Sequence, residues 1–163
     1  MSALARTTVS PPSFIFMGGD ICHHAGVFRP SELLPLPETI KPSPLSPLNV
    51  TQRLNLCPGE MFLSLHPSHS PTEPFYKIAV DQNGQSLPYV DIDSAKDTIA
   101  KMQRIDRYEE VLVIMAHDAS LRDVLSYWPN SANTWQVDGW KSKGTWRFLA
   151  DFVKEGAGAE IRR

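Results

Sequence analysis

Two short unbroken runs of apolar residues dominate the hydrophobic pattern, Phe14-Ile15-Phe16-Met17 and Val111-Leu112-Val113-Ile114-Met115-Ala116. Runs of this length suit strands buried on both faces, as in a parallel sheet, better than strands with one wetted side. Ala3 to Val9 reads as an edge strand, and the turn Ser10-Pro11-Pro12-Ser13 leads from it into the first run. Helical spacing is clearest from Ser94 to Asp106. There Ala95, Ile99, Met102 and Ile105 return on one face, and Ser94 with Asp97 forms a capping-box pattern. Shorter helices are expected from about Ser120 to Tyr127, with Leu121, Val124 and Leu125 inward, and from Thr145 to about Lys154, burying Trp146, Leu149, Phe152 and Val153. Phe75 to Val80 alternates loosely and predicts a strand, followed by the turn Asp81-Gln82-Asn83-Gly84.

Most of the 14 prolines fall between Arg29 and Pro74. Each lacks an amide donor and restricts the residue before it, so the pattern predicts a long, mostly extended loop, packed down by Leu33, Leu34, Leu36 and Leu45. His66 and His69 within it are read as surface histidines. Trp135 and Trp140 are candidate anchors in the irregular stretch after Pro129, and residues 156–163 read as a fraying tail. The domain expectation is one unit over residues 1–155, with 29–74 as an insertion.

Composition narrows the function. With 163 residues, 42% of them hydrophobic, the chain has material for a real core. A formal charge of −2 gives no electrostatic support to a nucleic-acid partner or an anionic membrane surface. No apolar run approaches a membrane span, and the expectation is a cytoplasmic protein. Cys22 and Cys57 are too few for a disulfide framework and read as reduced thiols. No Gly-x-Ser-x-Gly elbow is present, which leaves a serine-hydrolase reading without a nucleophile.

The chemistry is concentrated where the two apolar runs end. Gly18-Gly19 stops the first, and Asp20, Cys22, His23 and His24 follow directly; the second ends in His117-Asp118. Neighbouring strands would bring Asp20 and His117 together at one sheet edge, where α/β proteins place their sites. His23 and His24, being adjacent, point apart on most backbones. One of them can line the same cavity, as can Cys22 and Asp118, and Asp118 also suits a helix N-cap or an outer partner of a ligand.

GGDICHHAGVFRPSELLPLP, the strand ending in AHD and the Trp-rich WPNSANTWQVDGWKSKGTWRFLADF resemble the C-terminal half of fungal proteins of the metallo-β-lactamase fold. The resemblance implies one half of a four-layer αββα sandwich, a mixed α/β sheet with helices on one face and a long Pro-rich loop. It assigns Asp20 as the carboxylate bridging two zinc ions and His117 as the last ligand of the second. It implies a zinc-dependent hydrolase of ester, lactone, thioester or amide bonds, acting on a small molecule. The family's His-x-His-x-Asp-His motif is not in this sequence, and Met1 to Thr8 resembles the segment that follows its third-site His. The expectation is therefore a truncated chain, inactive alone, that binds zinc weakly or not at all and self-associates through an exposed sheet edge. The alternative is a non-catalytic, partner-binding protein.

Overall fold

The computed structural model describes residues 1–47, 55–78, 80–86 and 89–153. In chain order the elements are β1 (Ala3–Val9), β2 (Pro12–Gly19), β3 (Thr39–Ile40), β4 (Cys57–Pro58), α1 (Gly59–Leu65), α2 (Ile92–Asp106), β5 (Val111–Met115) and α3 (Trp140–Gly144), with 3-10 turns at Ala25–Val27, Ala119–Leu121 and Ala132–Thr134. They form two compact units, one of residues 1–35 and 72–118, the other of 36–71 and 119–163.

In the first unit β1, β2 and β5 make a three-stranded mixed sheet in that order. β1 runs antiparallel to β2 and β5 parallel to it, pairing Phe14 with Val111 and Phe16 with Val113. This is the mixed α/β organisation expected from the two apolar runs. β5 is buried almost throughout. β2 is not buried on both faces: Ser13 and Ile15 are buried, Phe14 and Phe16 are half-buried, and Met17 is 44% exposed. The Phe75 to Val80 segment is not a strand; residues 75–78 and 80 have no regular structure, and Ala79 lies outside the described residues. The turn after it is present, closed by the Gly84 amide donating to the Asp81 carbonyl at 3.0 Å.

α2 starts earlier than the Ser94 cap predicts. Its cap is Asp91, whose carboxylate accepts from the Ser94 amide at 3.0 Å and from the Ser94 hydroxyl at 2.7 Å, so Ser94 donates where a cap would accept. These bonds, the hydroxyl's first, hold the Asp91 carboxyl below its ordinary range. A lowered carboxylate pKa means that the cap is complete above the unfolded value of about 3.9 and is lost as pH falls through the folded value. Protection of the Ser94 amide, measured against its intrinsic exchange rate, is expected to fall only below that range. Asp91→Asn keeps the protection and removes its pH dependence, whereas Asp91→Ala loses it at every pH.

The second unit corrects the reading of the Pro-rich segment as one extended loop. It contains the β3–β4 pair and the helix α1, whose first residue, Gly59, lies so close to the Pro37 carbonyl that a Cβ there would stand 2.0 Å from the oxygen. His66 caps the end of α1 and is buried rather than on the surface, its Nδ1 accepting from the Ser68 amide at 3.2 Å. His69 is exposed, as expected. Residues 48–54 of the segment lie outside the described residues, as does the tail at 156–163.

The helix expected from Ser120 to Tyr127 is only the 3-10 turn Ala119–Leu121 with further turns, although Leu121 and Val124 are buried as predicted. The helix expected from Thr145 to Lys154 is split. α3 precedes it, turns occupy 145–148, and 149–153 is helical, with Lys154 outside the described residues. Trp135, Trp140, Phe148 and Leu149 are buried and centre this unit's core. No described helix is long and apolar enough to cross a membrane.

Candidate metal centre

The end of β2 is built to aim the residues beyond it. The β2–β5 register slips between Met17 and Gly19, and Gly19 takes φ +59, a left-handed conformation that glycine adopts without steric cost. Bulges of this kind redirect a strand and its side chains. The Ala116 amide then donates to the Gly19 carbonyl at 3.0 Å, fastening the two strand ends together one residue before Asp20 on one side and His117 on the other. His117 itself sits at φ +64, a region that few residues other than glycine occupy.

This places Asp20 Oδ1 3.5 Å from His117 Nε2 and 3.4 Å from His23 Nε2. The rings of His23 and His117 lie 5.5 Å apart, tilted at 39°. Among the described residues, Asp20, His23 and His117 are the one group of three or more potential donors close enough to hold a metal ion, with ligand atoms within 4.8 Å of one another. All three are exposed. Two separations test the fit: N–H···O hydrogen bonds span about 2.7 to 3.2 Å, whereas two ligands on one tetrahedral zinc, with bonds of 2.0 to 2.1 Å, stand about 3.3 Å apart. The distances around Asp20 match the second value.

The other candidates point elsewhere. His24 turns away from His23: its Nδ1 accepts from the Gly26 amide at 3.0 Å and its ring meets Tyr76 edge-on at 4.9 Å. Cys22 is fully buried with Sγ against Met115 Sδ, and burial pushes its thiol up to about 12, which keeps it neutral near pH 7. A neutral buried thiol is a poor metal ligand. Asp118 is half-buried and outside the three-donor group.

Sequence reasoning missed Tyr89. Its hydroxyl donates to the Ile21 carbonyl at 2.9 Å, steadying the residue after Asp20, and its pKa is raised, first by burial and then by Cys22. Tyr89 also lines a groove of about 280 Å³ with Asp20, Ile21, Ser94 and Thr98. A lone tyrosine in an irregular segment carries no pattern by which the sequence could have shown this.

Comparison with known proteins gives three informative similarities. A gamma-lactamase of Fusarium pseudograminearum is 44% identical over 153 residues, covering 94% of this chain and 35% of the relative. A metallo-hydrolase of Annulohypoxylon moriforme is 40% identical, covering 94% of this chain and 37% of its own length. A cytochrome P450 monooxygenase of Penicillium roqueforti is 35% identical across 93% of this chain, which corresponds to 14% of that longer protein. The chain thus spans about a third of the length of the first two. No family model and no solved structure matches.

Proposed function

The chain is a relative of fungal metallo-β-lactamase-fold hydrolases over nearly its whole length, and on that footing we propose that it supplies the Asp20–His117 edge of a zinc centre that hydrolyses a cyclic amide. The observation that carries this reading is the 3.5 Å approach of Asp20 to His117, residues 97 positions apart that the β2–β5 pairing unites. Bound zinc would lower the pKa of a water to about 7 and polarise the substrate carbonyl. This chain's own residues would hold the ion through Asp20 and His117 and receive a small substrate in the groove between Asp20 and Tyr89. The substrate class follows from the name of the Fusarium relative, a γ-lactam being a cyclic amide. Because the His-x-His-x-Asp-His motif is not in this sequence, the 163-residue chain alone is expected to leave a γ-lactam intact.

The test is a chimera in which this chain replaces its matching third of the Fusarium gamma-lactamase. Hydrolysis of a γ-lactam above background, with zinc bound, is the expected result. A folded, zinc-loaded chimera without activity overturns the proposal and favours the second reading, a partner-binding protein. That reading rests on β1, an edge strand with Leu4 58% and Val9 75% exposed, whose outer side offers pairing groups to a second copy or another chain.

A further inference from the structure

We infer that His23 is a third metal donor, so that this chain by itself holds one divalent transition-metal ion between Asp20, His23 and His117. The inference rests on the proposed metal-facing role of the Asp20–His117 edge and extends it to a residue that the family resemblance leaves without a role. Two donors do not ordinarily retain zinc, whereas three leave one open position in a tetrahedral sphere.

The geometry suits this role. Asp20 Oδ1 is nearly equidistant from His23 Nε2 and His117 Nε2, at 3.4 and 3.5 Å. Both gaps are within ion-pair reach, longer than a direct hydrogen bond, and close to the edge of a tetrahedral coordination shell, about 3.3 Å. Both imidazoles present the same nitrogen, Nε2, to the same carboxylate oxygen. The rings are not stacked, being tilted by 39°. His24, the adjacent residue of identical chemistry, is committed instead to the Gly26 amide. One carboxylate oxygen and two imidazole nitrogens suit zinc, cobalt or nickel better than calcium or magnesium, which prefer all-oxygen shells.

Titration of the purified full chain with cobalt(II) chloride tests this, since the intensity of the visible d–d bands reports four-coordination without any catalysis. One equivalent is expected to bind with the strong bands of a four-coordinate site. His23→Ala should weaken binding by more than the roughly 100-fold that losing an outer partner costs. Asp20→Ala and His117→Ala should do the same, while His24→Ala, checked for folding by circular dichroism, keeps the wild-type affinity. His23→Gln, which preserves size and polarity, should also fail to restore the bands. If His23→Ala binds cobalt as tightly as wild type while Asp20→Ala and His117→Ala do not, His23 is no donor and the two-residue edge stands. If the wild-type chain takes up no cobalt, the self-sufficient site is refuted, and activity of the chimera still decides the hydrolase reading separately.

Discussion

In the active chimera, Asp20→Ala is expected to lower kcat/KM on a γ-lactam by more than about 100-fold, beyond the 10- to 100-fold span typical of outer partners of a metal ligand. The expectation rests on the position of its carboxylate. Oδ1 faces both His23 and His117, so its removal takes away the carboxylate between the two imidazoles, and with it most of the attraction for a divalent cation at that edge. Asp118→Asn serves as the comparison. Asp118 is half-buried beside His117 but outside the donor group, and its loss should fall within the outer-partner range. Zinc content measured with the rates distinguishes a lost ion from a misplaced substrate. An Asp20→Ala chimera that keeps its zinc and turns over like the parent would remove Asp20 from the centre.

The meeting of Asp20 and His117 was legible because apolar runs of strand length are a strong signal and the side chains immediately beyond parallel strand ends share an edge. β1 was legible as an edge strand from the turn that follows it, while its antiparallel pairing came from the structure. His23 was only half legible: adjacency told that His23 and His24 diverge, but which of them turns toward Asp20 depends on His24 accepting from Gly26 and packing on Tyr76, contacts with no sequence pattern. α1 was hidden by the prolines around it. Local propensity argues against a helix there, yet the run from Gly59 to Leu65 contains no proline and buries Phe62 completely. His66 shows the same override, since a ring that accepts backbone amides is stable inside although histidine is commonly a surface residue. Ser94 misled for a simpler reason: both Asp91 and Ser94 are good caps, and spacing alone cannot say which of them accepts.

Asp106→Ala is expected to destabilise the first unit by about 3 to 5 kcal/mol, the usual consequence of stripping one member from a buried ion pair. Arg29 and Asp106 form two parallel hydrogen bonds, Nε to Oδ2 at 2.7 Å and Nη2 to Oδ1 at 2.6 Å, with both side chains almost wholly out of solvent. The pair ties the segment that carries Asp20 and His23 to the end of α2. Gln103 reinforces it by donating to the Phe28 carbonyl at 3.0 Å, and the Phe28 ring lies 4.6 Å from the guanidinium carbon. Removing Asp106 takes the carboxylate counterion from a buried guanidinium. Removing Arg29 leaves the Asp106 carboxylate at a helix C-terminus, where the helix dipole opposes it, so Arg29→Ala is expected to destabilise as well. Arg29→Met with Asp106→Leu replaces both charges by apolar groups and is expected to recover most of the stability, because the net value of a buried pair against well-packed hydrophobic residues is small. Urea unfolding of the four proteins decides the matter: an Asp106→Ala midpoint equal to that of the parent would mean that the pair does not hold this segment in place.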